Sequence, residues 1–331
     1  MLDTPRVKIL LTSTNISSFI AEDLNILRKH FSVDHLLTTR LATLLQAPMR
    51  VARADITFTW FASVHAFVVL LAAKLLRKKS LIVIGGSDVA HYPEIGYGIW
   101  VSPWRARLVR YTLRHADKIL SVDPYITAEA QRLAQYDGAN IIYVPTGYDA
   151  ELWTPAGEKE PFVLNVSACD TEPRIKQKGL DVLLRAARLL PDVPFVVVGV
   201  SGKATELLHS LAPSNVTLVG YRERRDLLQY YRRAKVYCQP SLFDGLPNSL
   251  CEAMLCACVP VGADAGGIPS AITNPDFLVP YGDAEALAAA LRRSLAAPPE
   301  VGFAARRFIA KTFPLKRREE ALVQIIRTVA A

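Results

Sequence analysis

One stretch of this sequence reads Pro240-Ser-Leu-Phe-Asp-Gly-Leu-Pro-Asn-Ser-Leu-Cys-Glu-Ala-Met254. It follows a strand predicted at 236–239 and opens a helix predicted at 247–255. Pro247 suits the first helical turn, where its missing N–H leaves no bond unmade. Gly245 allows a close approach of the backbone. The N–H groups at the helix start, together with the positive end of the helix dipole, form a site for an anion or a hydroxyl group.

The same strand–turn–helix unit recurs along nearly the whole chain. Predicted strands alternate with predicted helices, and this order indicates parallel sheets with crossover helices. Strands such as Phe195–Val198 are continuously apolar, which is typical of strands buried on both faces. The alternation pauses at Thr154–Pro161, a polar segment with two prolines and a glycine, which we interpret as a linker.

We therefore predict an α/β protein with two Rossmann-like, doubly wound domains that face each other across a cleft. The predicted domains are residues 1–155 and residues 160–312. A basic amphipathic helix at 315–331 is predicted to pack on the first domain. Sheets of this kind bind ligands beyond the carboxyl ends of their strands, so we expect the site to lie in the cleft.

Composition excludes several classes of protein. The 331 residues carry a net charge of +8 that is spread over both halves, which argues against a nucleic-acid-binding stripe but suits anionic small molecules or a membrane surface. The five cysteines include no Cys-x-x-Cys pair, so we expect buried thiols and no metal site. The first residues do not resemble a signal peptide. The apolar stretch Ala66–Ala73 is shorter than the ~20 residues of a membrane span. We expect a cytoplasmic location, including the inner membrane surface.

A second stretch, Arg174-Ile-Lys-Gln-Lys178-Gly179, places cations ahead of a helix predicted at 179–190. Cations at a helix start oppose the helix dipole. A bound phosphate would explain them, whereas the alternative is a solvated basic loop. In the first stretch, Asp244 and Glu252 are placed to hold different hydroxyl groups of one polyol ligand, and the alternative there is an ordinary turn with surface acids.

Both stretches resemble motifs of glycosyltransferase family 4, whose members have the GT-B fold. The similar segments are Lys178–Asp181, Asp244–Met254 and Val259–Pro269, and the resemblance covers about residues 162–282. The first half resembles the family only in its α/β plan. The resemblance implies a retaining, metal-independent transfer of a sugar from a nucleotide-diphosphate donor to a glycan, lipid-linked or small-molecule acceptor. It implies no cofactor besides this co-substrate.

The resemblance also assigns roles to residues. Glu252 matches the acid that holds the donor ribose, and Lys178 matches the lysine that neutralises the diphosphate. Asp244 matches the first acid of the family's Glu-x7-Glu motif, near the donor sugar hydroxyls, but it is one methylene shorter than the usual Glu. The rest of the predicted donor side consists of Gly199, Tyr221, Gly245, Leu246, Asn248 and Ser249.

Two departures from the family pattern concern predicted catalytic groups. Ser167-Ala168-Cys169 stands where the family often has an arginine, and we predict that Arg174 replaces it. The histidine that often follows the fourth strand is missing from Gly85-Gly86-Ser87-Asp88. Asp88 or His91 is the candidate replacement, although a lone loop histidine is more often simply exposed.

The first domain is expected to select the acceptor. Its loop Thr12–Ser18 is rich in hydroxyl groups, and Ser13, Asn15 and Ser17 are the candidate residues, the alternative being a capping turn. A later helix combines aromatic and basic residues in a pattern used at membrane surfaces, the alternative being a core helix with solvated arginines. These residues are Trp100, Trp104, Arg105, Arg107, Arg110 and Arg114. On the membrane interpretation, the acceptor is a lipid-linked sugar.

Two other functions remain open at this point. An NAD-dependent oxidoreductase or nucleotide-sugar epimerase needs Gly-x-Gly-x-x-Gly after a strand, and neither Gly85-Gly86 nor Gly199–Gly202 fits that pattern. A non-catalytic sugar-binding protein has no use for cations directed at a phosphate.

Overall fold

The computed structural model describes residues 7–39 and 41–331. The chain divides into two compact units, Met1–Gly147 with Leu315–Ala331 and Tyr148–Pro314. Residues 1–6, with which the predicted first domain begins, lie outside the described residues. The predicted linker Thr154–Pro161 lies inside the second unit, where a strand already begins at Glu160.

The first unit alternates strands and helices. In chain order its elements are β1 (Lys8–Ser13), α1 (Ser18–His30), β2 (Ser32–Leu37), α2 (Leu41–Leu44), α3 (Ala47–Arg53), β3 (Ile56–Trp60), α4 (Val64–Leu75), β4 (Lys79–Ile84), α5 (Pro103–His115), β5 (Lys118–Ser121), α6 (Pro124–Ala134) and β6 (Ile141–Tyr143). Its strands form one parallel sheet in the order β2-β1-β3-β4-β5-β6.

The second unit repeats this plan. Its elements are β7 (Glu160–Cys169), α7 (Glu172–Gln177), α8 (Leu180–Arg188), β8 (Phe195–Val200), α9 (Gly202–Leu211), β9 (Val216–Val219), α10 (Arg224–Arg233), β10 (Ala234–Gln239), α11 (Asn248–Leu255), β11 (Val259–Ala263), α12 (Ile268–Ala271), β12 (Leu278–Val279), α13 (Ala284–Ala296) and α14 (Pro299–Thr312). The sheet is parallel, in the order β12-β11-β10-β7-β8-β9. The chain then returns to the first unit as α15 (Leu315–Ala330).

The predicted fold class is confirmed, since both units are doubly wound and parallel. Apolar side chains on both faces of central strands drive this arrangement, and every residue of Leu81–Ile84 in β4 is apolar and buried. All five cysteines are buried free thiols, as predicted. The acceptor and donor roles of the two domains stay predictions.

Each sheet has a switch point, where the strand order changes direction. In the first unit it lies between β1 and β3, and in the second unit it lies between β7 and β10. Loops that leave neighbouring strands at a switch point turn to opposite faces of the sheet and open a crevice at its carboxyl edge. The residues after these four strands are therefore the first place to look for a ligand site.

A buried ion pair attaches the carboxy-terminal helix α15 to α1. The Arg318 guanidinium donates to both carboxylate oxygens of Asp23 at 2.6 and 2.8 Å, and both side chains are 2% exposed. Trp60 Nε1 donates to the same carboxylate at 3.0 Å, and Arg318 also donates to the carbonyls of Val144 and Pro145. Each buried charge thus has several hydrogen-bond partners, which a buried pair requires.

Asp23→Asn is expected to lower the free energy of unfolding by about 3 kcal/mol, because it leaves the Arg318 charge buried without its counter-ion. Urea denaturation followed by circular dichroism measures the change. Lys316→Ala on the same helix is the control, because its ion pair with Glu320 is exposed and contributes at most about 0.5 kcal/mol. Equal effects of the two substitutions would contradict this account of the pair.

Candidate functional site

The switch point of the second unit brings the two predicted donor stretches together. Lys178 lies at the end of α7, after β7, and Asp244 lies in the loop after β10. The turn at Gly179, with φ of +63°, packs so closely on that loop that an added Cβ would lie 2.0 Å from the carbonyl oxygen of Pro240. Only glycine fits this left-handed backbone and this close approach.

Lys178 and Asp244 form an ion pair in this crevice. Lys178 Nζ lies 2.5 Å from Asp244 Oδ1, and the two side chains are 13% and 15% exposed. Gln239 Nε2 donates to the other carboxylate oxygen at 2.9 Å. Burial lowers the pKa of the Lys178 ammonium, the charge of Asp244 opposes this effect, and the charge of Arg174 adds to it. The lysine predicted to bind the diphosphate and the acid predicted to lie near the sugar hydroxyls are therefore in direct contact.

The backbone of the Asp244 loop is held from both sides. The Gly267 N–H donates to the Asp244 carbonyl at 2.9 Å, and an added Cβ on Gly266 would lie 2.5 Å from the same oxygen. On the other side, the Gln177 side chain donates to the carbonyl of Phe243. These contacts fix the position from which the Asp244 carboxylate projects.

Arg174 lies on a helix and not in the long loop that the sequence suggested. Pro173 stands in the first turn of α7, where its fixed φ favours helix formation. The Arg174 guanidinium donates to Gln177 Oε1 at 2.9 Å and to the Ala168 carbonyl at 3.1 Å. Its positive charge thus lies at the carboxyl end of β7, beside the segment Ser167–Cys169 that it was predicted to complement.

The start of α11 lies beside the ion pair. The helix begins at Asn248, and Pro247 precedes it in extended backbone, so the prediction that Pro247 occupies the first turn is wrong. The Tyr148 hydroxyl donates to Asn248 Oδ1 at 3.0 Å, and the Tyr237 hydroxyl bonds Ser249 Oγ at 2.8 Å. The first N–H groups of any helix lack an acceptor within it, so the amides at this start suit an anion.

Two further residues of the predicted donor-binding loop, Gly245 and Leu246, can contact a donor only through their backbone. Leu246 is 4% exposed and packs in the core below α11, and Gly245 is buried beside it. The Leu246 side chain therefore anchors the loop, and only its amide is a candidate for donor binding.

Glu252 lies inside α11 and is 6% exposed. The hydroxyl of the fully buried Tyr231 donates to Glu252 Oε2 at 3.3 Å. Burial, reinforced by the glutamate charge, raises the pKa of Tyr231 well above its ordinary value, so this tyrosine stays a donor. The predicted ribose contact of Glu252 stays a prediction.

Gly199 is the last but one residue of β8, and Tyr221 follows β9; both strands lie on the side of β7 that faces away from β10. Gly199 has φ of +100°, and an added Cβ would lie 2.6 Å from the Ser167 carbonyl oxygen. Tyr221 is 75% exposed. The predicted donor residues therefore lie at or after the carboxyl ends of four adjacent strands, β10, β7, β8 and β9.

In the first unit, the loop after β1 uses some of its candidate acceptor groups internally. Ser13 is buried, and its hydroxyl donates to the Asn15 carbonyl at 2.8 Å and lies 3.1 Å from His35 Nε2. Asn15 is exposed, and Ser17 is the N-cap residue of α1 but makes no side-chain cap bond. The Ser13 hydroxyl thus stabilises the loop, and its predicted contact with an acceptor stays a prediction.

Asp88 is turned into the protein. It is 1% exposed, and its carboxylate accepts from the amides of Gly86 at 2.8 Å, Ala62 at 3.1 Å and Gly85 at 3.3 Å. It therefore joins the loop after β4 to the loop after β3, and its predicted catalytic role stays a prediction. His91 is exposed, and its catalytic role stays a prediction.

Some residues at the two switch points were missed from the sequence. Gln177 and Gln239 are buried amides that hold the Asp244 loop, and a glutamine at the end of the apolar strand β10 was a signal for the second. In the first unit, Phe61 has a left-handed backbone with φ of +68° directly after β3. The centre of its ring lies 5.5 Å from the centre of the Trp60 ring and 6.1 Å from the centre of the Phe19 ring. This aromatic group flanks the loop that carries Asn15 and Ser17.

In the part of the chain that the structure describes, no group of three or more His, Cys, Asp or Glu side chains is arranged to hold a metal ion. No helix there combines the length and the apolar composition needed to pass through a bilayer.

Comparison with known proteins places this site in a family context. Residues 161–297 match the family model described as "Glycosyl transferases group 1". The chain is 27% identical over 270 residues to alpha-maltose-1-phosphate synthase of Mycolicibacterium smegmatis, covering 72% of this chain and 69% of that protein. It is 30% identical over 238 residues to D-inositol 3-phosphate glycosyltransferase of Mycolicibacterium gilvum, covering 67% of this chain and 54% of that protein. Anabaena HepE, crystallised with UDP and glucose, has a similar fold, with a TM-score of 0.81, 14% identity, and coverage of 97% of this chain and 99% of that one.

The buried Asp88 carboxyl is expected to make the free energy of unfolding depend on pH. Burial raises its pKa from 3.8 to about 6, although the amide hydrogen bonds oppose the shift. Between about pH 4 and pH 6 the unfolded chain releases this proton while the folded chain keeps it, so the contribution of Asp88 to stability falls as the pH rises. The expected fall is about 3 kcal/mol for a shift of this size.

Urea denaturation of the wild type and of Asp88→Asn across this pH range tests the sign. The free energy of unfolding of the wild type, minus that of the variant, should decrease as the pH rises from 4 to 6. A difference that increases with pH would mean that Asp88 is ionised in the folded protein at all these pH values.

Proposed function

We propose that the second unit binds the diphosphate of a UDP-sugar at the Lys178–Asp244 pair. The chain belongs to the group 1 glycosyl transferases. The enzyme is nucleotide-sugar-dependent and of the retaining type, as glycosyltransferase family 4 implies. This membership replaces the alternatives of an oxidoreductase, an epimerase and a non-catalytic sugar-binding protein. The UDP in the similar Anabaena structure supports a uridine donor.

The observation that carries the proposal is the 2.5 Å contact of Lys178 with Asp244 at the switch point of the second sheet. It places a cation, an acid and the start of α11 at one crevice, which is the chemistry that a diphosphate joined to a sugar requires. A structural ion pair alone would not need the neighbouring charge of Arg174, which adds to burial in lowering the pKa of Lys178.

The same groups explain how transfer is accelerated. Breaking the bond between the anomeric carbon and the diphosphate oxygen leaves the electron pair on the diphosphate and positive charge on the sugar. Lys178, Arg174 and the amides at the start of α11 would stabilise the departing diphosphate, and their positions are fixed before the reaction begins. Asp244 carries negative charge beside the sugar, where positive charge develops.

Lys178 must change partners when the donor binds. In the free protein it is bonded to Asp244, and the Gln239 side chain keeps that carboxylate in place. A diphosphate that takes over part of the Lys178 charge leaves one Asp244 oxygen available to a sugar hydroxyl. Asp is one methylene shorter than the usual Glu. This contact therefore favours a sugar whose hydroxyl group extends closer to the carboxylate, toward β10.

For the acceptor, we propose a hydroxyl group of a glycan, a lipid-linked sugar or a small molecule, selected by the first unit. The exposed Asn15 and the partly buried Ser17 follow β1 at that switch point, and Phe19 and Phe61 provide an apolar surface beside them. Sugar rings bind well to such combinations of aromatic and polar groups.

Lys178→Ala is expected to lower kcat/KM for a UDP-sugar by at least ~10², because one preorganised charge at the leaving group is lost. Steady-state assays of transfer or donor hydrolysis measure this effect. Lys176→Ala is the matched control, because Lys176 belongs to the same basic stretch but is 48% exposed and pairs with Glu172. Equal losses in the two variants would refute a specific role for Lys178.

Asp244→Asn is expected to separate binding of UDP from transfer of the sugar. The substitution removes the competitor for Lys178, so UDP should bind up to about 10-fold more tightly, which is the value of one charged hydrogen bond. Turnover should fall because the charge beside the sugar is lost. Calorimetric titration with UDP and a transfer assay measure the two effects, and a parallel fall of both would contradict the proposed exchange of partners.

A further inference from the structure

Three neighbouring helices of the first unit carry basic residues without any acid. Helix α4 contacts both α3 and α5. The segments 47–53, 64–78 and 103–115, which contain these helices, hold nine Lys and Arg residues and no Asp or Glu. Exposed helix layers of a protein normally mix both signs of charge, so this face is unusual.

The same layer exposes large apolar side chains. Leu75 on α4 is 84% exposed, Leu45 is 73%, Met49 on α3 is 57% and Trp104 on α5 is 54%. Helix α4 buries Ala66, Val69, Leu70 and Ala73, and its other side carries the partly exposed Val68 and Leu71, in line with Leu75. A helix that is apolar on both sides buries one side in its own domain, and its other side is suited to an apolar partner.

The structure separates the arginines of α5 into two groups. Arg110 and Arg114 donate to carbonyls at the end of α6, so they attach one helix to the next. Arg105 and Arg107 are exposed, and the Arg105 guanidinium lies 5.2 Å from the centre of the Trp104 ring. Only the second group is placed to meet a partner, together with Arg53 and Lys74 on the neighbouring helices.

We infer that this face of α3, α4 and α5 binds an anionic lipid surface. Apolar side chains among lysines and arginines are the combination that inserts into the headgroup region while pairing with anionic lipids. A second copy of the chain is a poorer partner, because a symmetric contact would bring the arginines of both copies together. The inference concerns the first unit alone. It can therefore fail while the proposed function holds, and the proposed function can fail while the inference holds.

Sedimentation with vesicles tests the inference. The protein should bind vesicles that contain phosphatidylglycerol and not vesicles of phosphatidylcholine alone, and the binding should weaken as salt is added. The double variants Leu75→Ser/Trp104→Ser and Lys74→Glu/Arg107→Glu should each lower the partition coefficient by at least about 10-fold.

Two variants serve as matched controls. Lys316→Glu/Arg327→Glu makes the same change of net charge on α15, away from the three helices, and Leu189→Ser removes an exposed leucine from the second unit. Both should bind vesicles about as well as the wild type, and melting curves should show that all variants fold.

Three results would overturn the inference. The first is no binding to anionic vesicles at low salt. The second is an equal loss in the α15 variant, which would mean that net charge alone drives binding. The third is a doubled mass in solution that Leu75→Ser/Trp104→Ser abolishes, which would assign the face to a second copy of the chain.

Discussion

The contact between Lys178 and Asp244 depends on a constraint of the backbone. These residues are 66 positions apart, and they meet because the Gly179 turn packs on the carbonyl of Pro240 with no room for a Cβ. Glycines at 179 and 266, with the amides of Gln177 and Gln239, keep a lysine and an acid within a few ångströms. The strand order supplies the crevice, and these small contacts decide which side chains stand in it.

The charged groups of the second unit are therefore preorganised, because their positions are fixed before a ligand binds. In the free protein, Lys178 is neutralised by Asp244, so a largely buried ammonium is tolerated. A diphosphate offers more negative charge at the same point, together with the amides of α11. On the proposed function, this larger negative charge favours a diphosphate over a single carboxylate at the site.

The sequence was sufficient for the fold, because continuously apolar strands such as Phe195–Val198 are typical of parallel sheets that are covered on both faces. It was also sufficient to select Lys178 and Asp244, since cations and acids at helix starts are chemically conspicuous. It did not reveal that they touch, because that contact depends on packing between distant loops. For a related reason it did not reveal that the Asp88 carboxylate is buried. A carboxylate beside glycines can bind a ligand or accept backbone amides, and the amide contacts of Asp88 appear only in the fold.

A crystal structure with UDP bound tests the central claim most directly. The diphosphate should lie within hydrogen-bond distance of Lys178 Nζ and the first amides of α11, and Lys178 Nζ should have moved away from Asp244 Oδ1, beyond the present 2.5 Å. A structure with UDP elsewhere on the protein, and with the Lys178–Asp244 pair unchanged, would contradict the account.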